Sequence, residues 1–374
     1  MRALNMKTLS ITLLSIILIV IFMVSCDKDG ISEAEYQIQY RREAQLDNAY
    51  ANGIMPLNTA FVENTTVLRT RTQAFVQQPN LENLDDLQNQ WVSMLKVWKR
   101  LELYNLGIIE DSFIHFEINR WPTNAEIVNG YIEGAETIDV DFIVGNGSSS
   151  KGISAMEYLL FSSDDNQEIL NQFTTNPHFE RRQTYLLSLA QNLEMKANEL
   201  QMLWIMHKTD FISSLENGIS GSQNQLTNAM VTLIEEIIIS KLGNPLGNGN
   251  GGTINIEELE AYRSESSLLI IQEHLTALKM LYNGDFTQGT INWGFNDYLD
   301  LIDRRTLNEA ITSSFDNCQD KLNLISESLK QELLDTPQNA IDLQDAFDNL
   351  LVLIKVDMAN AIGTTITIND NDGD

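Results

Sequence analysis

"LQNQWVSMLKVWK", residues 87–99, decides the fold. Its apolar positions Leu87, Trp91, Leu95 and Trp98 recur at helical spacing, so one face is bound for a core. A second stretch, "LQDAFDNLLVLIK" at 343–355, aligns with it without gaps. Leu, Gln, an Asn or Asp, an aromatic and the later Leu and Lys recur. Each stretch follows a Pro and an earlier amphipathic segment. The pair predicts an all-α protein of two helical-bundle domains related by internal duplication.

Working outward, helical periodicity predicts helices near 31–52, 57–77, 81–105, 179–217, 222–242, 256–283, 303–334 and 339–362. "QQPNLENLDDL" and "LDTPQNAIDLQ" have the Pro and early acids of helix starts. "NGIMP" and "KLGNPLGNGNGGT" are breaks. No strand precedes the "GNGNGG" of the second break, so it reads as a connector and not a nucleotide loop. Residues 106–150 are expected to form a long irregular insertion, centred on Trp121-Pro122 and ending in "VGNGSSSKG". Long ordered loops in compact domains tend to be functional. The expected organisation is a signal at 1–25, a first bundle over 26–178 and a second over 179–374.

The first residues read as an export signal. Arg2 and Lys7 precede an apolar run, "ITLLSIILIVIFMV", too short for a comfortable membrane span. The run ends in "MVSC", the pattern of a bacterial lipobox, so cleavage before Cys26 and lipidation of its thiol are expected. The remaining thiol, Cys318, reads as a packed helical residue. The chain carries 24 basic and 52 acidic residues, net −28. Loss of Arg2 and Lys7 with the signal makes the remainder more acidic still. Such a surface argues against nucleic acid and anionic lipid as partners and leaves cations, cationic proteins or simple solubility.

Two carboxylates break apolar faces. In "KGISAMEYLLF", residues 151–161, Glu157 shares a helical face with Ile153, Ser154, Leu160 and Phe161. Glu102 continues the face of Trp91, Leu95 and Trp98. Glutamate is rarely buried without a partner, so each needs a cation, a proton or a hydrogen-bond donor. Ser154, one turn from Glu157, is a candidate donor. If both carboxylates and Ser154 meet beside the Trp121 loop, a hard cation, ferric iron or calcium, is the ligand their oxygens suit. The rival readings are a structural pair for Glu157 and a helix end reaching Lys99, Arg100 or water for Glu102. Trp121 is either a lid or the pin of its loop. None of His115, His178, His207 and His274 has a His, Cys or Glu three or four residues away, so no local zinc motif exists. Asp370, Asp372 and Asp374 alternate like the first half of a calcium loop, without its closing Glu.

Several segments, in order, resemble the imelysin-like family of bacterial envelope proteins, also called M75 peptidases. They are "LDDLQNQWVSMLKVWKRLELYNLG", "INRWPTNAEIV", "KGISAMEYLLF", "KLGNPLG", "AYRSESSLLI" and "ITINDNDGD". The resemblance implies an all-α fold of two duplicated bundles, a cell-envelope location, and a role in iron or haem uptake or in metalloproteolysis. Gly152 and Glu157 match the family's GxHxxE motif, but its His position is Ser154. A hydroxyl is a poor substitute for imidazole, which argues against zinc and against catalysis. The expectation is therefore a lipid-anchored, outer-membrane binding protein working with iron or haem transport components. A metallopeptidase whose metal is held by sequence-distant residues, and an envelope scaffold acting through the Trp121 loop, are the alternatives.

Overall fold

A computed structural model describes residues 33–286 and 292–367. The expected signal, Cys26 and Asp370, Asp372 and Asp374 lie outside them. The described residues are all-α, with no strand among them; one isolated antiparallel bridge pairs Asn119 with Gly152. No helix among them is long and apolar enough to cross a membrane. Contacts divide the chain into Met1–Arg41 and Arg42–Asp374. The described part of the first unit is the beginning of the helix Glu33–Asn48.

Within the second unit, one group of helices is built on Met55–Gln77, Leu81–Leu101, Gly152–Leu160 and Phe179–Ser213. Apolar faces drive it: Phe61, Trp91, Trp98, Leu186, Leu189 and Trp204 are all buried. The Phe61 and Trp98 ring centroids lie 5.3 Å apart. A second group comprises Ser222–Glu236, Ser267–Asn283, Arg305–Asn323 and Gln338–Val352. Leu81–Leu101 packs against Ser267–Asn283 and joins the groups. The helix Phe179–Ser213 packs on Met55–Gln77, inside the first group. The division expected at 178/179 therefore falls ahead of a helix that the first group needs to cover its core. Three helices widen into π turns, at Ala49–Ile54, Ile237–Gly243 and Leu353–Met358.

Three expected elements differ. Residues 106–150 are not irregular throughout, because they hold short helices at Ile108–Asp111, Ile114–Ile118, Ala125–Glu133 and Val140–Gly145. Asn124 and Asp139 cap the last two, accepting from the amides of Ile127 and Phe142 at 3.0 and 2.8 Å. The helix expected over 256–283 begins only at Ser267. Ala261 and Glu265 ahead of it adopt left-handed backbone (φ 57° and 52°), which turns the chain and aims Glu260 and Ser264 inward. The helix expected over 303–334 breaks after Asn323 and restarts at Leu329, where Ser328 accepts from the Gln331 amide.

Gly152 opens the helix that carries Ser154 and Glu157. Its φ is +75°, and a Cβ there would sit 2.2 Å from the Ile118 carbonyl oxygen. The glycine lets two backbones meet at the Asn119 bridge. Gly152→Ala is expected to destabilise by at least about 1–3 kcal/mol from the dihedral alone, more with the clash. Chemical denaturation checks this, and an unchanged midpoint would contradict it.

Candidate functional site: a buried ion clasp

The helix Leu81–Leu101 ends in a tight turn at Glu102–Tyr104, and this end delivers Lys99 and Glu102 to the junction of the two groups. The Lys99 side chain is 1% exposed. Its Nζ lies 2.7 Å from Glu102 Oε1 and 2.6 Å from Glu260 Oε1, so one ammonium bridges two carboxylates. Lys241, on the π turn Ile237–Gly243, donates to Glu260 Oε2 at 2.8 Å. Trp98 Nε1 donates to Glu102 Oε1 at 2.7 Å. His274 Nε2 lies 2.8 Å from Glu102 Oε2. Beside it, Arg100 pairs with Glu273 at 2.5 Å, a second link between the same two helices.

The charges explain one another. Burial alone pushes the Glu102 carboxyl up, but the Lys99 ammonium and the His274 hydrogen bond outweigh it and hold it well below the usual range. Glu260 is raised by burial and, more strongly, pulled down by Lys241 and Lys99, to about 2. Burial lowers Lys241, yet the surrounding carboxylates raise it overall. His274 is fully buried and pushed down to about 4, so it is neutral near pH 7 and donates from Nε2 to the ionised carboxylate. The core of the cluster is thus two carboxylates balanced by two ammoniums, with a neutral imidazole, and Glu236 stands at its edge, 3.9 Å from Lys241.

The insertion enters this clasp through Asn119. Its Nδ2 donates to Glu260 Oε1 at 3.0 Å, and its Oδ1 accepts from Ser154 Oγ at 2.7 Å. Ser154 therefore serves Asn119 and not Glu157. Glu157 Oε1 instead accepts from the backbone amide and hydroxyl of Ser264, at 3.0 and 3.1 Å. Burial pushes the Glu157 carboxyl up, with the Ser264 donors opposing. Trp121 is joined to Pro122 by a cis peptide bond, is half-buried, and makes no hydrogen bond or ring contact among the described residues. His115 packs its ring 4.8 Å from Trp98, and burial pushes it down to about 4.

The structure thus brings Ser154 and Glu102 into one network, through Asn119, and holds Glu157 alongside on separate donors. A divalent metal needs carboxylate and imidazole lone pairs that are free and convergent. Here ammoniums and amides already engage Glu102 and Glu260, and Ser154 is spent on Asn119. The donor set does not fit a metal, and no group of three His, Cys, Asp or Glu among the described residues does. Asn119, Lys241, Glu260, Ser264 and His274 were not among the expected site residues; Lys99 was expected only as a partner of Glu102 in the rival reading, and it does pair with it.

The structural role of Glu157 has a direct check. Glu157→Ala would strand the half-buried Ser264 amide and is expected to lower stability by about 1–3 kcal/mol. Glu157→Gln keeps an acceptor oxygen and is expected to retain most of it. Equal losses in the two variants, measured by denaturant unfolding, would contradict the hydrogen-bond account.

These observations define an all-α protein whose helical groups are clasped by a buried, self-neutralised ion cluster. The sequence pattern of the imelysin family, peptidase M75, matches residues 55–356, and the chain belongs to that family. Iron-regulated protein A of Synechococcus elongatus is 20% identical over 247 residues. The match covers 63% of this chain and 63% of that relative's length. An imelysin-like protein from Psychrobacter arcticum superposes with a TM-score of 0.73 at 17% identity, over 88% of this chain and 98% of the other. A protein described as an iron-regulated protein A precursor, from Parabacteroides distasonis, gives 0.70 at 16% identity, over 86% and 95%. These two likenesses establish the fold.

Proposed function

We propose that this chain is a non-catalytic, iron-related binding protein of the bacterial envelope, held at the outer membrane by a lipid on Cys26 and serving iron or haem transport components. The observation that carries the non-catalytic part is the engagement of Glu102 and Glu260 by Lys99 and Lys241. Metal-assisted hydrolysis requires a bound water to be activated at an open coordination position. Carboxylates already bridged by ammoniums, with a serine where imidazole would stand, supply neither ligand nor base. The clasp instead fixes how the two helical groups meet, as a rigid frame for recognition. The iron link is carried over from the name of the Synechococcus relative, and the lipid from "MVSC".

Two assays test this reading. Purified protein is expected to leave an unfolded polypeptide intact, with or without added zinc or chelator. Chelator-sensitive cleavage that is lost in Glu157→Gln would overturn it in favour of a metallopeptidase. Deleting the gene is expected to slow growth on iron-poor medium, with rescue by wild type and not by Cys26→Ala. Normal growth of the deletion strain would remove the iron role.

A further inference from the structure

A groove of about 670 Å³ lies away from the clasp, between the start of the helix Arg305–Asn323 and the π turn Leu353–Met358. The apolar side chains Leu307, Ala310 and Leu353 line it. So do three ionisable ones, Asp303, Arg304 and Asp357. Asp303 takes a left-handed backbone (φ 58°), a conformation that a short polar side chain tolerates, and this turn brings it and Arg304 to the same groove. The π turn widens its helix where Leu353 and Asp357 line the opposite wall, and such turns often mark functional positions. This wall is also where the repeated segment 343–355 ends. Elsewhere the described lysines and arginines commonly find carboxylates, as at Arg69–Glu194, Lys279–Asp316 and Lys321–Asp342. Arg304, Asp303 and Asp357 share one groove, yet none forms an ion pair or side-chain hydrogen bond among the described residues.

We propose that this groove binds a basic amino acid. Its carboxylate would pair with Arg304, its cationic groups with Asp303 and Asp357, and its methylene stem would lie on Leu307 and Leu353. The charges select this class. Two acids and one base leave the groove with a net negative charge, complementary to a ligand with two cations and one carboxylate. Phosphate esters would meet two carboxylates, and a bare metal ion would meet a guanidinium. Guanidinium–carboxylate pairing gives orientation as well as attraction. A peptide whose last residue is lysine or arginine has only the side-chain cation and would leave one of the two aspartates unmatched. This site is independent of the clasp and of the iron-related reading.

Methyl NMR titration tests it, because the resonances of Leu307, Ala310 and Leu353 report this groove directly. L-lysine is expected to shift them saturably, whereas norleucine, without the side-chain ammonium, and cadaverine, without the carboxylate, bind about tenfold more weakly. Arg304→Gln and Asp357→Asn are expected to weaken lysine by a similar factor, with unchanged melting temperature, since both residues are exposed. Nα-acetyl-lysine, which keeps the carboxylate and the side-chain ammonium but lacks the α-ammonium, is expected to bind about tenfold more weakly than lysine; binding as tight as lysine's would overturn the two-cation pairing. No saturable shift with either lysine compound, or equal binding by norleucine and cadaverine, or no effect of either variant, would overturn the proposal.

Discussion

Lys99→Met is expected to lower unfolding stability by about 3–5 kcal/mol, the loss typical when one partner of a buried ion pair is removed. Methionine fits the space of the lysine stem, so the loss reports charge more than volume. Without the ammonium, Glu102 and Glu260 face each other with Lys241, His274, Trp98 and Asn119 as their remaining partners. Two carboxylates in one buried site cannot both stay ionised at low cost. Their carboxyls are then expected to titrate upward, so the variant regains part of its stability as pH falls toward 5, unlike wild type. Equilibrium urea unfolding at two pH values measures both effects. A loss below about 1 kcal/mol, in the range of exposed surface pairs, would mean that the clasp carries little of the fold.

The wild-type protein is expected to lose stability continuously on acidification, beginning near pH 6.5. His274 sits at about 4 in the folded state, below the ordinary imidazole value of 6.5. The unfolded chain therefore takes up a proton first, and stability falls as pH drops from 6.5 to 4, by on the order of 3 kcal/mol from this residue. His115 acts in the same direction over the same range. Glu260, at about 2 when folded, adds a second loss. Its contribution is fully present above the unfolded value near 4.5 and disappears as pH falls toward 2. Glu157 opposes this trend, because burial raises its carboxyl. His274→Gln is expected to reduce the slope of the upper limb between pH 6.5 and 4, with His115 supplying the remainder, and leave the lower limb. A pH profile that stays level down to 4.5 would contradict the assignment of a neutral buried imidazole.

The long helices were legible because each buries one face at a regular period: Leu81–Leu101 and Ser222–Glu236 fall within the expected spans, and Met55–Gln77 ends where expected but starts ahead of its span, at Met55. The short helices of the insertion were not, since four to nine residues carry too little periodicity to separate from loop. Glu102 and Glu157 stood out as charges in apolar surroundings, and each is held by partners, the buried Lys99 for Glu102 and the half-buried Ser264 for Glu157. Lys99, three residues before Glu102, lies within reach of sequence spacing, but the other partners were invisible for a different reason. Asn119, Lys99 and Glu102 reach Glu260, Glu260 and His274 across 141, 161 and 172 residues of sequence, distances that no local spacing encodes. One signal was available: Lys99 in "MLKVWK", Lys241 in "IIISKLG" and His274 in "IIQEHLTAL" break apolar runs as Glu157 does. Bases buried in apolar faces demand acids as surely as the reverse.

Ion pairs of this kind often contribute little net stability relative to apolar packing, and are retained where they fix one arrangement against alternatives. In this chain the clasp ties the end of the helix Leu81–Leu101, the insertion, the 259–266 turn and the second helical group into one network. Serine at the motif position belongs to that network, since its hydroxyl orients Asn119 toward Glu260.

The claim that Lys99 and Glu260 act as one unit across the two helical groups is tested most directly by a double-mutant cycle on Lys99→Met and Glu260→Gln, read by urea unfolding at pH 7. A coupling energy of about 2–3 kcal/mol is expected, with the double variant more stable than the sum of the single losses allows. Additive losses, within about 0.5 kcal/mol, would show that the two charges do not depend on each other and would contradict the clasp.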